Sequence, residues 1–213
     1  MRDKMEHRTH QCNKKEESNK EFFNRLADSW DSISVHDLNK VEYITSLLEM
    51  KGSERVLDVG AGTGIMIPFY ERRLIDGSVL AVDVSENMIA RCNEKYPACC
   101  HPSLEFKVLD IYDLDFENEF DIVMCYSCFP HFKNHQKAVD IFARSLKPKS
   151  KFVIAHSSSR DHINHIHRHG GSDICEDVLP TLKELTKIIN ASGLSVVFER
   201  SDSEYHVIIA MKT

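Results

Sequence analysis

The stretch Val56-Leu57-Asp58-Val59-Gly60-Ala61-Gly62-Thr63-Gly64 holds the residues whose types and spacing point most directly to chemistry. An apolar run leads into glycines at alternate positions, where the backbone can turn sharply and let a ligand touch the main chain. The spacing is G-x-G-x-G, not the G-x-G-x-x-G that seats a pyrophosphate. Asp58 also puts a carboxylate where a diphosphate would be repelled. Twenty-one residues beyond Gly62, Val82-Asp83-Val84-Ser85 offers an acid suited to bidentate hydrogen bonds with a ribose diol. Asp110, in Leu109-Asp110-Ile111, could accept from an exocyclic adenine amine. Together these residues describe a nucleoside ligand without a diphosphate, with a cationic or zwitterionic tail near Asp58.

Such a set must be carried on strand ends. Apolar, strand-like runs at Arg55–Val59, 79–82, Leu104–Val108, Phe120–Tyr126 and 151–156 alternate with helical patterns over 63–74, 85–96, 134–146 and 176–191. That alternation predicts βαβ units and a parallel sheet covered on both faces. Two final runs, 194–199 and 205–211, are separated only by a polar turn and predict a hairpin. Ahead of the first strand, Phe22, Phe23, Leu26 and Trp30 follow helical spacing, and a second amphipathic run covers 36–49. Residues 1–20 are polar and charged without apolar periodicity, and are expected to be a mobile tail preceding one domain over 21–213.

Composition narrows the function classes. With a formal net charge of −6, the chain makes a poor electrostatic partner for nucleic acid or an anionic membrane. No apolar run is long enough to span a bilayer, and the first residues carry no signal-peptide core. The seven cysteines, without an export signal, read as reduced thiols in the cytoplasm. Neither a nucleic-acid nor a membrane partner is expected, and the state is a monomer or a homodimer.

The glycine loop and the acids at successive strand ends, together with the late KPKSKFVIAH strand and closing hairpin, resemble the class I S-adenosylmethionine-dependent methyltransferases. The likeness covers nearly all of 21–213 and looks closest to the small-molecule branch that includes quinone-biosynthesis C-methyltransferase-like proteins. It implies an α/β, Rossmann-like, doubly wound sheet of seven strands, ordered 3-2-1-4-5-7-6 with strand 7 antiparallel, under N-terminal lid helices. S-adenosylmethionine is the implied cofactor. Gly60, Gly62 and Asp58 would surround its methionine part, Asp83 its ribose, and Asp110 with Ile111 its adenine. Val84 and Met88 would pack the adenine ring, Cys125 and Tyr126 would sit beside the sulfonium, and Trp30 would lie over the cofactor. Asp121, at the start of its strand, is expected to support the fold.

The acceptor side is less defined. Methyl transfer is an in-line displacement, so alignment matters most, and a base is needed only where the acceptor arrives protonated. His131, in Cys125-Tyr126-Ser127-Cys128-Phe129-Pro130-His131-Phe132, is the candidate base, or else a histidine that fixes this loop. This segment lacks the Asn/Asp-Pro-Pro-Tyr pattern of nucleobase amine methylation, which again points to a small-molecule acceptor. His156 ends the fifth strand and is a second catalytic candidate. Beyond it, His162, His165 and His169 share one face of a predicted helix, with His167 on another side. They form either a solvated face or a divalent-metal site, whose ligands could also be drawn from His131, His156 and a helix histidine such as His162, His165 or His167. Residues 170–180 are expected to form part of the acceptor wall. The competing function is a module that binds the nucleoside or a metal without turnover; a nicotinamide-dependent reaction is disfavoured by the glycine spacing and Asp58.

Overall fold

The computed structural model describes residues 18–169 and 174–213, so most of the expected tail and the Gly170-Gly171 pair lie outside the described residues. Seven strands form one sheet: β1 (Arg55–Val59), β2 (Ser78–Asp83), β3 (Leu104–Val108), β4 (Phe120–Tyr126), β5 (Leu146–His156), β6 (Leu194–Ser201) and β7 (His206–Lys212). Their order is β3-β2-β1-β4-β5-β7-β6, with β7 antiparallel to both its neighbours and the first five strands parallel. This is the doubly wound arrangement, reversing at β1 and β4, which opens a crevice at their carboxyl ends.

Successive side chains of the central strands alternate between two cores. Leu57, Val59, Val123, Cys125, Phe152 and Ile154 pack on α6 (His135–Ser145) and α8 (Leu182–Ala191) through Val139, Phe142, Leu185 and Ile189. Val56, Ile122, Met124, Val153, Val207 and Ile209 face Val41, Ile44 and Leu48, in or just beyond α3 (Leu38–Ser46), and Ile67, Phe69 and Tyr70 of α4 (Ile67–Glu71). Each strand is thus apolar on both faces, as buried parallel sheets require. Asp121 does support the fold: its Oδ2 accepts from the Arg55 amide at 2.9 Å and from Lys147 Nζ at 2.7 Å, tying the bases of β1, β4 and β5.

Several element bounds differ from expectation for local reasons. The expected tail reaches residue 20, yet α1 (Asn19–Leu26) begins earlier because Ser18 and Glu21 form a reciprocal capping box. The helix predicted over 63–74 shrinks to α4, since Gly64 sits at φ 87° and Pro68 takes the first turn. The helix predicted from 176 starts at 182 instead, behind Pro180, with Thr181 and Glu184 as its capping box. Between α1 and α3 lie a short 3₁₀ turn and α2 (Trp30–Ile33), completing the N-terminal lid. The remaining helices are α5 (Glu86–Lys95) and α7 (Arg160–His169). Among the described residues, no helix is long and apolar enough to cross a membrane.

Candidate functional site

The loop after β1 is forced by its glycines. Gly60 stands at φ 63°, and a Cβ on it would lie 2.6 Å from Cys128 Cβ, so only glycine fits between β1 and the β4 loop. Gly62, at φ 56°, comes so close to the lid that a Cβ would meet Trp30 Nε1 at 3.5 Å. The loop is also tied to the end of β2. Asp83 Oδ2 accepts the Gly62 amide at 2.9 Å, and Oδ1 accepts the Ser85 amide at 2.9 Å. Burial raises the Asp83 pKa, while the Ser85 and Gly62 amides pull it back down. Each oxygen keeps a further lone pair for a diol.

A cavity of about 1740 Å³ opens over the carboxyl ends of the strands, between this loop and the lid. Its walls include Trp30, Gly60, Gly62, Asp83, Val84, Asp110 and Ile111 at one end. Asp110 caps the turn 111–113 by accepting the Tyr112 amide at 3.0 Å. The other end is walled by Tyr126, Ser127, His131, Ser157, His162 and His167. Tyr126 Oη sits 2.9 Å from His36 Nδ1 and 2.8 Å from Ser157 Oγ, joining β4, β5 and the lid. His131 Nδ1 lies 2.6 Å from Asp177 Oδ2, and its ring meets Phe23 of α1 edge to face with centroids 5.0 Å apart.

Four expected site residues stand behind these walls. Met88 and Cys125 are buried in the cores, because their helix and strand positions point inward. Asp58 is 1% exposed and faces Tyr70, with its Oδ2 lacking a hydrogen-bond partner among the described residues. Burial pushes its pKa up to about 8, with the nearby Tyr70 phenol opposing and the Asp83 charge adding to the rise. At neutral pH it is therefore a neutral acid beneath the loop rather than a charged group in the cavity. His156 is also buried, and neither ring nitrogen has a hydrogen-bond partner among the described residues. Its register partner across β7 is His206, with ring centroids 6.5 Å apart. Burial and the surrounding histidines hold its pKa well below the usual value, so it is a neutral core residue.

The candidate metal ligands are set apart from one another. Among the described residues, no three histidine, cysteine or acidic groups converge as a metal-ligand set. His162 faces the cavity, while His165 and His169 meet at a tilt of 31° with ring centroids 4.2 Å apart, and His169 Nδ1 lies 2.8 Å from the His165 carbonyl. His167 turns inward, its Nδ1 donating to the Asp177 carbonyl at 2.6 Å. His131 is committed to Asp177.

Sequence reasoning missed the polar ties between lid and loop. Asp31 of α2 bonds Thr63 Oγ1 and pairs with Lys95, whose Nζ also donates to the Thr63 carbonyl at 3.1 Å. Asn24 of α1 accepts from Ser85 Oγ at 2.6 Å. No local pattern marks these residues, since their partners are about 30 to 60 positions away. Asp177 escaped notice for the same reason.

Residues 57–154 match a family described as "Methyltransferase domain". The phosphatidylethanolamine N-methyltransferase of Cereibacter sphaeroides is 33% identical over 109 residues, covering 50% of this chain and 52% of that protein. The ubiquinone biosynthesis O-methyltransferase of Neisseria meningitidis serogroup C is 28% identical over 135 residues, covering 59% and 56% respectively. The match spans about half the length of the curated relatives. Among solved structures, an S-adenosylmethionine-dependent methyltransferase from Aquifex aeolicus superposes with a TM-score of 0.69 at 20% identity, covering 92% of this chain and 100% of that one. The relatives span lipid and quinone chemistry and do not single out the quinone branch. Residues 57–154 thus carry a methyltransferase domain, and the strand order around its glycine loop is the fold shared with the S-adenosylmethionine-dependent methyltransferase from Aquifex aeolicus.

Proposed function

We propose that the chain transfers a methyl group from S-adenosylmethionine to a small-molecule acceptor. The observation that carries this reading is one continuous cavity, which joins the Gly60–Gly62–Asp83–Asp110 end to the Tyr126–His131–Ser157 end. The residues at the first end fit the cofactor: Gly60 and Gly62 line the cavity with bare main chain, and Asp83 retains acceptor capacity for a ribose diol. Asp110, in the same wall, would accept from the adenine amine, and Trp30 lies against Gly62 of the loop. Bound there, S-adenosylmethionine supplies a methyl carbon activated by the sulfonium. The chain supplies alignment: Tyr126 and Ser157 present hydroxyls to the acceptor end, and the lid excludes water. His131 is the base for an acceptor that arrives protonated.

Two of the similar proteins carry N- and O-methyltransferase names, which favours an oxygen or nitrogen acceptor. Free cysteines at 92, 99, 100, 125 and 128 suit a reducing cytoplasm. Calorimetry with S-adenosylmethionine and S-adenosylhomocysteine tests the cofactor assignment; no heat with either would remove it. Formation of S-adenosylhomocysteine over a panel of small hydroxyl and amine compounds tests turnover. Binding with no product across that panel favours a binding module.

A further inference from the structure

The histidine-rich helix α7 has a buried face that is spent on hydrogen bonds to the segment after it. Arg160, Asn164 and His167 recur at helical spacing, and all three hold the backbone of the segment that follows. Arg160 Nε donates to the Leu179 carbonyl at 2.9 Å. Asn164 accepts the Leu179 amide at 2.7 Å and donates to its carbonyl at 3.2 Å. His167 Nδ1 donates to the Asp177 carbonyl at 2.6 Å. Asn164 is 2% exposed and His167 8%, so these bonds are shielded from water. Their common result is the position of one carboxylate: Asp177 Oδ2 is presented to His131 Nδ1 at 2.6 Å.

We infer that Asp177, clamped by Arg160, Asn164 and His167, is a positioning residue that holds His131 in the Nδ1–H tautomer and leaves Nε2 as the proton acceptor of the cavity. A carboxylate accepts and cannot donate, so the bond to Nδ1 requires the proton to sit on that nitrogen. Nε2, which has no hydrogen-bond partner recorded among the described residues, then carries the lone pair. Resting on the proposed methyl transfer, this specifies the acceptor class: a nucleophile with a removable proton on oxygen, nitrogen or sulfur. Its lone pair forms the bond to the methyl carbon, the carbon–sulfur bond breaks with its electrons returning to sulfur, and the proton passes to His131 Nε2. The imidazolium later releases that proton to solvent. Asp177 touches neither substrate nor methyl group.

Long-range ¹H–¹⁵N spectra of full-length protein labelled with ¹⁵N-histidine read the tautomer without any acceptor. His131→Gln identifies the signal. The wild type is expected to show Nδ1–H for His131, Asp177→Asn to lose that single-tautomer signature, and Asp177→Glu to restore it in part. Asn164→Ala, which loosens the clamp while keeping Asp177, should mix the tautomers. An Nε2–H tautomer in the wild type, or an Asp177→Asn spectrum unchanged at His131, overturns the inference. Calorimetry with S-adenosylhomocysteine on the same samples keeps the two readings apart. Retained binding with an Nε2–H tautomer defeats the positioning role alone, whereas absent binding with the Nδ1–H tautomer defeats the cofactor reading.

Discussion

Replacing Asp58 by asparagine should make the chain more stable, and increasingly so as pH rises. Its carboxyl ordinarily titrates near 3.8, but burial beside Tyr70 pushes it up to about 8 in the folded state. Between those values the folded chain holds a proton that the unfolded chain has released, so stability falls as pH rises through the window. At pH 7 the cost is about 4 kcal/mol, from 1.36 kcal/mol per pH unit over the interval above 3.8. Asparagine is nearly the same shape, never ionises, and offers a donor to the Tyr70 hydroxyl, which has no hydrogen-bond partner among the described residues. Allowing for imperfect fit, the gain should be ~2–4 kcal/mol at pH 7, or roughly 4–16 °C in Tm for a chain of this size. Urea unfolding of both proteins at pH 5, 6, 7 and 8 reads the difference directly, and other titrating groups cancel in it. The difference should widen by about 1.4 kcal/mol per unit up to pH 7 and level off near 8. A gap that stays constant across this range would refute the buried neutral acid.

The opposite sign holds for the histidines between β5 and β7. Burial, aided by the charge of Arg160, lowers His206 to about 4, and His156 also lies well below its usual range. Stability is therefore full above about pH 6.5 and lost as pH falls towards 4, with His206 accounting for ~2–3 kcal/mol; His206→Gln should flatten part of that acid limb in urea titrations. Gly60→Ala should cost about 2–4 kcal/mol in unfolding free energy, because a left-handed backbone is strained and the new Cβ meets Cys128; unchanged stability would contradict the loop geometry. Asp83→Ala should weaken S-adenosylhomocysteine binding by roughly 10–100-fold in calorimetry, through lost diol and loop hydrogen bonds, and full affinity would relocate the ribose.

The glycine-loop end of the cavity was legible because its determinants are local. Glycines at alternate positions after an apolar run require a tight turn wherever they occur, and acids at successive strand ends must share an edge once the strands are parallel. The strand order followed from the resemblance, and the sheet bears it out. Burial could not be read in the same way. Asp58, Met88 and Cys125 sit next to loop residues in sequence, yet the alternation of strand and helix faces turns them into the cores. The histidines show the limit most clearly. Spacing alone allowed a three-imidazole face on α7, but in the structure His165 and His169 pack on each other at a tilt, His162 faces the cavity and His167 turns inward.

The sequence by itself determined the glycine loop and the edge of the sheet at which the strand-end acids gather, because turn chemistry and hydrophobic period act within a few residues. Which groups carry charge, and which hydrogen-bond partner each imidazole finds, was decided only by the tertiary structure. Desolvation and long-range pairing depend on what the fold packs around a group, and Asp177 reaches His131 across 46 positions of chain.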